Sequence, residues 1–393
     1  MTHYRSRIIE NELKKALAYS PCVGILGMRQ VGKSTLLKKY SQRYFSFDDD
    51  EFLIRFGVAA KTYLEEMSYP LGLDEVQKYP PAFDALKFAV DSLKKTGRFL
   101  LSGSVRFSAR KEIRESLTGR IVILEVMPLT LSECHGARVS EFLKKLFHST
   151  DELLLKKIGS AAWATEEQVV HYSKTGGLPG ICFRREEAIR LRMLDNHLDT
   201  LFGRDIHLIV KTKLSIKKLK DVVAAIAREQ GLPISYSTLA RLASVSVPTM
   251  QSLLVALQGL FLIRSYGKTY FVEDAGLSHF LSPMNNLVDR RDMLRCLYGE
   301  FKTQMETQLK FEATLEPFTT RGGIDVPFVG TFKNGERIAI GVEAHDQPSD
   351  KTVKSLVWFK KKFPKSRLFI LTRGNKTMKL SSGIVCVPWT WAF

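Results

Sequence analysis

Apolar residues follow two rhythms along this chain, and the alternation between them predicts its elements. CVGILG at 22–27 is a short unbroken apolar run closed by glycine, as a strand buried on both faces requires. YFSFDDD (44–50), PLGLDEV (70–76), RFLLSGS (98–104) and RIVILEV (120–126) predict four more strands. Residues 1 to about 20, the stretch RQVGKSTLLKKYSQR and AFDALKFAVDSLKKTG read as helical. The last has apolar positions near the helical period and stops at Gly97. Strand alternating with helix predicts a parallel sheet covered on both faces over residues 1–135.

From 136 to 285 the pattern is almost entirely helical, with a break at GGLP (176–179). STLARLASVSVPTMQSLLVALQGL (237–260) predicts helix, short turn, helix. Ser246 caps the second helix, Pro248 sits in its first turn, and Leu253, Leu254 and Leu257 form its apolar stripe. FLIRSYGKTYFV then reads as a two-stranded wing. The block 286–393 returns to short β-like runs: IDVPFVGTF (324–332), RIAIGVEA (337–344), SRLFILT (366–372) and IVCVPW (384–389). SDKTVKSLVWFKKKF between them reads as a helix.

A length of 393 residues exceeds one ordinary domain, and the fractions of hydrophobic (45%) and charged (25%) residues exclude a disordered or fibrous chain. Charge adds a partner class. Fifty-nine Lys and Arg against 41 Asp and Glu leave +18, which points to polyanions: nucleic acid first, DNA ahead of RNA, then an anionic membrane surface. The five cysteines are scattered without a CxxC pair, so neither a disulfide framework nor a zinc site is expected. No secretory signal and no membrane-spanning run is apparent, so a cytoplasmic location is the expectation.

Candidate chemistry begins at Gly27-Met28-Arg29-Gln30-Val31-Gly32-Lys33-Ser34, which matches G-x-x-x-x-G-K-[ST] after a strand and before a helix. Glycines let the backbone N–H groups wrap phosphates, and the helix N-terminus adds its positive end. Lys33 is expected to reach the β- and γ-phosphates of ATP, and Ser34 to ligate Mg²⁺. Asp74, at the end of an apolar strand, is the expected second metal ligand, and Glu75 the base that polarises an attacking water. Ser102 and Ser104 end the next strand beside the site, with Ser104 preferred for sensing the γ-phosphate or holding water. Arg106, Arg110, Arg114 and Arg120 lie downstream, and Arg120 is the candidate for a finger acting across a subunit boundary. The extra strand between loop and carboxylates, with the adjacent glutamate, suits the ATPase branch of P-loop proteins. No guanine-reading N-K-x-D is present.

In order, GMRQVGKSTLL, LDEVQKYP, LLSGSVR and ESLTGRIVILEVMPLTLSE resemble the AAA+-type ATPases of bacteria and archaea that carry helical, winged-helix and restriction-endonuclease-like C-terminal regions. GGLP, LFGRD (201–205) and YFVEDAGL (270–277) fit the same pattern. The resemblance implies an α/β fold: a P-loop parallel sheet of the ASCE/AAA+ type over 1–135, a helical lid and winged helix over 136–285, and a small restriction-endonuclease-like domain over 286–393. It implies that Gly27, Gly32, Lys33, Ser34 and Thr35 bind ATP, with Arg29, Gln30 and Val31 in the same loop. Asp74 and Glu75 then serve metal and water, and Arg120 acts as sensor or finger, with self-association.

The second helix of the winged-helix pattern carries Thr249, Gln251 and Ser252 but no Lys or Arg, so base reading and a mere packing role stay open. The basic run KTKLSIKKLK (211–220) suits phosphate contacts or a solvated face. In the last block Asp325 and Glu343 match the metal-binding acids of restriction-endonuclease-like folds. His345 replaces the usual lysine, and Thr303 stands where an upstream glutamate is expected. A degenerate nuclease is therefore expected. Residues 321–393 still hold 13 Lys and Arg against 5 Asp and Glu. The readings carried forward are an ATPase coupling hydrolysis to conformational change on nucleic acid, an ATP-regulated nuclease, and a nucleic-acid-binding scaffold.

Overall fold

The computed structural model describes residues 4–93, 95–107, 119–136, 140–149, 164–283, 289–310 and 312–393. Helix α1 (Glu10–Tyr19) leads into β1 (Cys22–Leu26), and the loop after β1 opens α2 (Lys33–Tyr40). Next come β2 (Arg43–Ser46), α3 (Asp50–Glu66), β3 (Leu71–Asp74), α4 (Pro81–Leu93), β4 (Phe99–Gly103) and β5 (Ile121–Glu125). All pairs are parallel, in the order β2–β3–β4–β1–β5. One strand, β4, thus separates the strand that feeds the glycine loop from the strand that ends at Asp74. β1, β3 and β4 are buried at every position, which is why they read as unbroken apolar runs.

The edge strand β2 is shorter than its apolar–acidic pattern predicts. Its acidic tail belongs to the next helix: the Asp49 carboxylate accepts from the N–H groups of Glu51 and Phe52 and caps α3.

The middle stretch contains α5 (Leu131–His135), α6 (Phe142–His148), α7 (Glu166–Thr175), α8 (Glu187–Gly203), α9 (Ile216–Glu229), α10 (Tyr236–Leu242) and α11 (Val247–Gly259). Ser246 caps α11 by accepting from the Thr249 N–H, and Leu253, Leu254 and Leu257 are buried as the pattern predicts. A hairpin of β6 (Ile263–Tyr266) and β7 (Thr269–Val272) follows, then α12 (Ala275–Leu281).

After α13 (Arg290–Gln304) comes a second sheet of β8 (Ala313–Thr319), β9 (Asp325–Phe332), β10 (Arg337–Val342), β11 (Ser366–Thr372), β12 (Met378–Lys379) and β13 (Val385–Pro388). Helix α14 (Asp350–Lys362) crosses from β10 to β11. The strand order is β12–β13–β11–β10–β9–β8, antiparallel from β8 to β10 and parallel from β10 through β13. β8 was not predicted. Pro317 interrupts its pattern, and its register with β9 shifts between Glu316 and Phe318, so the period-two signal is lost at the sheet edge.

A cluster of charges joins the three parts. Glu125, at the end of β5, pairs with Arg106 (3.1 Å), with Arg264 of the hairpin and with Lys302 of α13 (2.8 Å), and Lys302 also reaches Glu273 at 2.8 Å. Among the described residues no single helix is long and apolar enough to cross a membrane.

Burial in α13 has a measurable consequence at Glu300. Gln304 donates to its carboxylate at 3.2 Å, yet burial pushes its carboxyl up to about 8. The folded chain therefore holds this proton more tightly than the unfolded chain, whose ordinary value is 4.5. The resulting stability is full below 4.5 and is lost as pH rises to about 8. Glu300→Gln is expected to lessen the decline in melting temperature across that window, most clearly above about 6, where Asp274 and Asp292 have titrated. Thermal unfolding followed by circular dichroism checks this; parallel declines in both proteins contradict it.

Candidate active site

The site forms where β1, β3 and β4 end. A side chain at Gly27 would put its Cβ 2.2 Å from the Val126 carbonyl oxygen, so only glycine lets the chain leave β1 there. Gln30 (φ 66°) and Gly32 (φ 98°) both take left-handed backbone and curl the loop before α2. The first turn of α2 has neither a side-chain cap nor an acidic residue, so its N–H groups are available to an anion. Lys33 is only 4% exposed, and its Nζ donates to the carbonyls of Gly27 (3.0 Å) and Met28 (2.9 Å). Burial lowers its ammonium affinity for a proton, and the Glu75 and Asp74 carboxylates oppose that effect.

Asp74 is buried at the end of β3. Its Oδ2 accepts from the Tyr44 hydroxyl at 2.6 Å, and its Oδ1 accepts from Ser102 and from the Glu75 N–H. The Ser34 hydroxyl acts on the same phenol, so Tyr44 stands next to both expected metal ligands. Burial, then the bond to Asp74, push that phenol well above the ordinary tyrosine range. A hydroxyl and a carboxylate beside the same phenol form a hard-oxygen pair. They fit a small divalent ion that takes its remaining ligands from phosphate and water.

Glu75 turns out of the strand in left-handed backbone, φ 53°. Its Oε2 accepts from Gln77 and, at 3.2 Å, from the Ser104 hydroxyl. The two serines of β4 and its following turn therefore divide their work: Ser102 holds Asp74 and Ser104 holds Glu75.

Other groups at the loop come from far along the chain. Arg7 donates to the carbonyls of Val31 (2.8 Å) and Met127 (2.6 Å) and pairs with Glu133. Arg29 pairs with the buried Asp205 at 3.4 Å, and Arg204 reaches the same carboxylate at 3.1 Å. His197 of α8 places Nδ1 3.2 Å from Gln30 Oε1. GGLP is fixed between two parts: a Cβ at Gly177 would lie 2.0 Å from the Leu129 carbonyl oxygen, and the Gly177 N–H donates to Asp274 at 2.8 Å. Asp274 also caps α12. A Cβ at Gly32 would lie 3.9 Å from the Pro179 ring, so GGLP borders the glycine loop.

Gly27, Gly32, Lys33, Ser34, Asp74, Glu75 and Ser104 are thus brought to one edge of the sheet. The contributions of Arg29 and Gln30 differ from a plain cradle, because their side chains engage Asp205 and His197. The Val31 side chain is buried and Thr35 is exposed on α2.

Arg120 is not brought to this edge. β5 runs parallel to β1 with Ile121 opposite Cys22, so Arg120 lies at the sheet edge away from the loop, about 16 Å of strand from it. Arg120 there pairs with Asp91 at 2.6 Å. It cannot act as a sensor for its own chain's site. Arg106 turns towards Glu125 and the Gln258 carbonyl, and Arg110 and Arg114 lie outside the described residues.

The acids of the second sheet are committed elsewhere. The Asp325 carboxylate accepts from Arg290 at 2.7 Å, and Glu343 accepts from Ser349 at 2.7 Å and from Thr352. Among the described residues no cluster of three or more His, Cys, Asp or Glu could hold a metal ion. Tyr44, Arg7 and His197 had no signal in the sequence, since each meets the site through tertiary packing, whereas Gln77 reaches Glu75 from two residues away.

Comparison with known proteins places this geometry in context. Residues 19–135 match a family described as an AAA domain, and residues 166–286 match a domain of unknown function. An uncharacterised protein of Mycobacterium tuberculosis is 25% identical over 309 residues, 78% of this chain. The chain spans 63% of that relative's length. An uncharacterised protein of Methanocaldococcus jannaschii is 26% identical over 233 residues, 56% of this chain and 48% of its own. A solved Walker-type ATPase of Pyrococcus abyssi aligns with a TM-score of 0.40 at 19% identity, covering 69% of this chain and 93% of that one. The AAA match and the five-stranded parallel sheet with its helices agree on a P-loop α/β fold for the first part of the chain.

Proposed function

We propose that this protein is an AAA+-type ATPase that uses Mg²⁺ to hydrolyse ATP to ADP and phosphate. The observation that carries the reading is the convergence of Lys33, Ser34, Asp74 and Glu75 from two strands separated by β4. The loop backbone over 27–32 and the N-terminus of α2 bind the phosphate tail. Lys33 exchanges its two carbonyl partners for β- and γ-phosphate oxygens. Ser34 and Asp74 would hold the ion, which would supply positive charge against the phosphates. Glu75 orients the water and accepts its proton, with Ser104 and Gln77 fixing the carboxylate. Steady-state ATP turnover by the Lys33→Ala and Glu75→Gln variants tests the reading.

Coupling runs through the helical stretch. Asp205 on Arg29, and Pro179 beside Gly32, make the loop's shape depend on residues that belong to the later part of the chain. We divide the chain accordingly into an ATPase core at 1–135, a helical lid and winged helix at 136–285, and a restriction-endonuclease-like domain at 286–393. Arg120 serves only a neighbouring copy, as a finger across a subunit boundary.

Nucleic acid is the proposed partner, and DNA is the first choice. The supporting observation is the net charge of +18. The exposed face of α11 carries Gln251 and Ser252 and no cation, so contact is expected to be with phosphates rather than bases. DNA affinity should then fall steeply and linearly on a log–log salt titration, and a flat slope removes the partner.

Cleavage is not expected, because Arg290 neutralises Asp325 and Glu343 is held by two hydroxyls. Plasmid incubated with Mg²⁺ or Mn²⁺ should stay intact. Cutting that disappears in Glu343→Ala restores the nuclease reading.

A further inference from the structure

His197 is the side chain at the glycine loop whose chemistry is unfinished. It projects from α8 onto the loop and is 2% exposed. Its Nδ1 faces Gln30 Oε1 at 3.2 Å, so Nδ1 carries the hydrogen and donates. Nε2 is then a bare acceptor. It is buried and, among the described residues, has no hydrogen-bond partner. Leaving such an atom unsatisfied costs about 1–3 kcal/mol.

The surrounding charges explain what this nitrogen lacks. Burial first, and then the cations Arg29 and Lys33, press the imidazole down to about 4. Both cations belong to the loop and the start of α2. Beyond them stand Asp205, paired with Arg29, and the carboxylates of Asp74 and Glu75, which act on Lys33. Lys78 and Arg204 are further cations around the same Asp205. Two cations and a neutral, orphaned imidazole around one loop make a site suited to a further anion. A group carrying several negative charges near Arg29 and Lys33 would reverse the repulsion and favour the protonated ring.

We propose that His197 is a phosphate-contacting residue supplied by the helical lid, which takes up a proton when the nucleotide binds and donates Nε2–H to a phosphate oxygen. The inference rests on the ATPase reading and adds to it a specific residue and a proton. Because α8 continues through Gly203 to Arg204 and Asp205, the new bond ties the lid's position to the presence of phosphate.

The test is calorimetric titration of the full chain with Mg–ATPγS, in two buffers of different ionisation enthalpy, at pH 6 and pH 8. Wild type, His197→Gln and His197→Asn are compared, with folding checked by circular dichroism. The expected result is a proton uptake at pH 6 that exceeds that of both variants and fades at pH 8. Affinity at pH 6 should drop about tenfold in the variants, as for loss of a hydrogen bond to a charged group. Binding by the wild type with the same proton count and affinity as a folded variant overturns the role of His197 and leaves the ATPase reading standing. No binding by the wild type overturns both.

Discussion

Lys33→Ala is expected to lower ATP turnover by about 10²- to 10³-fold, the usual cost of removing one preorganised donor at developing charge. The reason lies in where Lys33 is held. Its ammonium is buried against the carbonyls of Gly27 and Met28, inside the loop it is to serve. Burial in that position disfavours the charge, and Asp74 and Glu75 are the carboxylates that oppose the penalty. An anion arriving at the loop gives Lys33 stronger partners than two carbonyls. Alanine leaves the backbone cradle and the α2 terminus in place, so some nucleotide affinity should survive while turnover collapses. Colourimetric phosphate release at saturating ATP reads the effect directly. Unchanged turnover removes Lys33 from the chemistry.

The second large effect is at Glu75. Glu75→Gln keeps the shape of the side chain and removes its basicity. Turnover should fall about 10²- to 10⁴-fold, the range for loss of a general base. ATP binding should persist, because the Glu75 carboxylate hydrogen-bonds Gln77 and Ser104 rather than the loop. The substituted amide can still accept from both. Binding at undiminished affinity with lost turnover separates this variant from Lys33→Ala, whose affinity survives only in part. Loss of binding as well would mean that Glu75 holds the site together rather than acting on water.

Local pattern carried the first sheet and its chemistry, for identifiable reasons. β1, β3 and β4 are buried on both faces, so their composition alone marks them, and the glycine loop must be contiguous in sequence to wrap a phosphate. Asp74 and Glu75 were legible because they close such a strand. The limits were equally physical. The acidic tail of YFSFDDD serves as a helix cap at Asp49, and a sequence cannot distinguish a strand's polar end from a helix's first turn. β8 escaped because Pro317 and a register shift break its alternation. Arg120 has the right residue type, but strand register sends it to the opposite edge, and register is invisible before pairing is known. Tyr44 and His197 reach the site across 30 and 167 residues from their partners Asp74 and Gln30, so no window of sequence contains both halves.

The central claim is that a triphosphate and its metal ion are shared between the glycine loop and the acidic end of β3. A crystal structure of the Glu75→Gln chain grown with ATP and Mg²⁺ tests it most directly. The account predicts γ-phosphate density within reach of Lys33 Nζ, and an ion between Ser34 and Asp74. Nucleotide bound elsewhere, or Lys33 still donating to Gly27 and Met28 beside an ordered ATP, would contradict it.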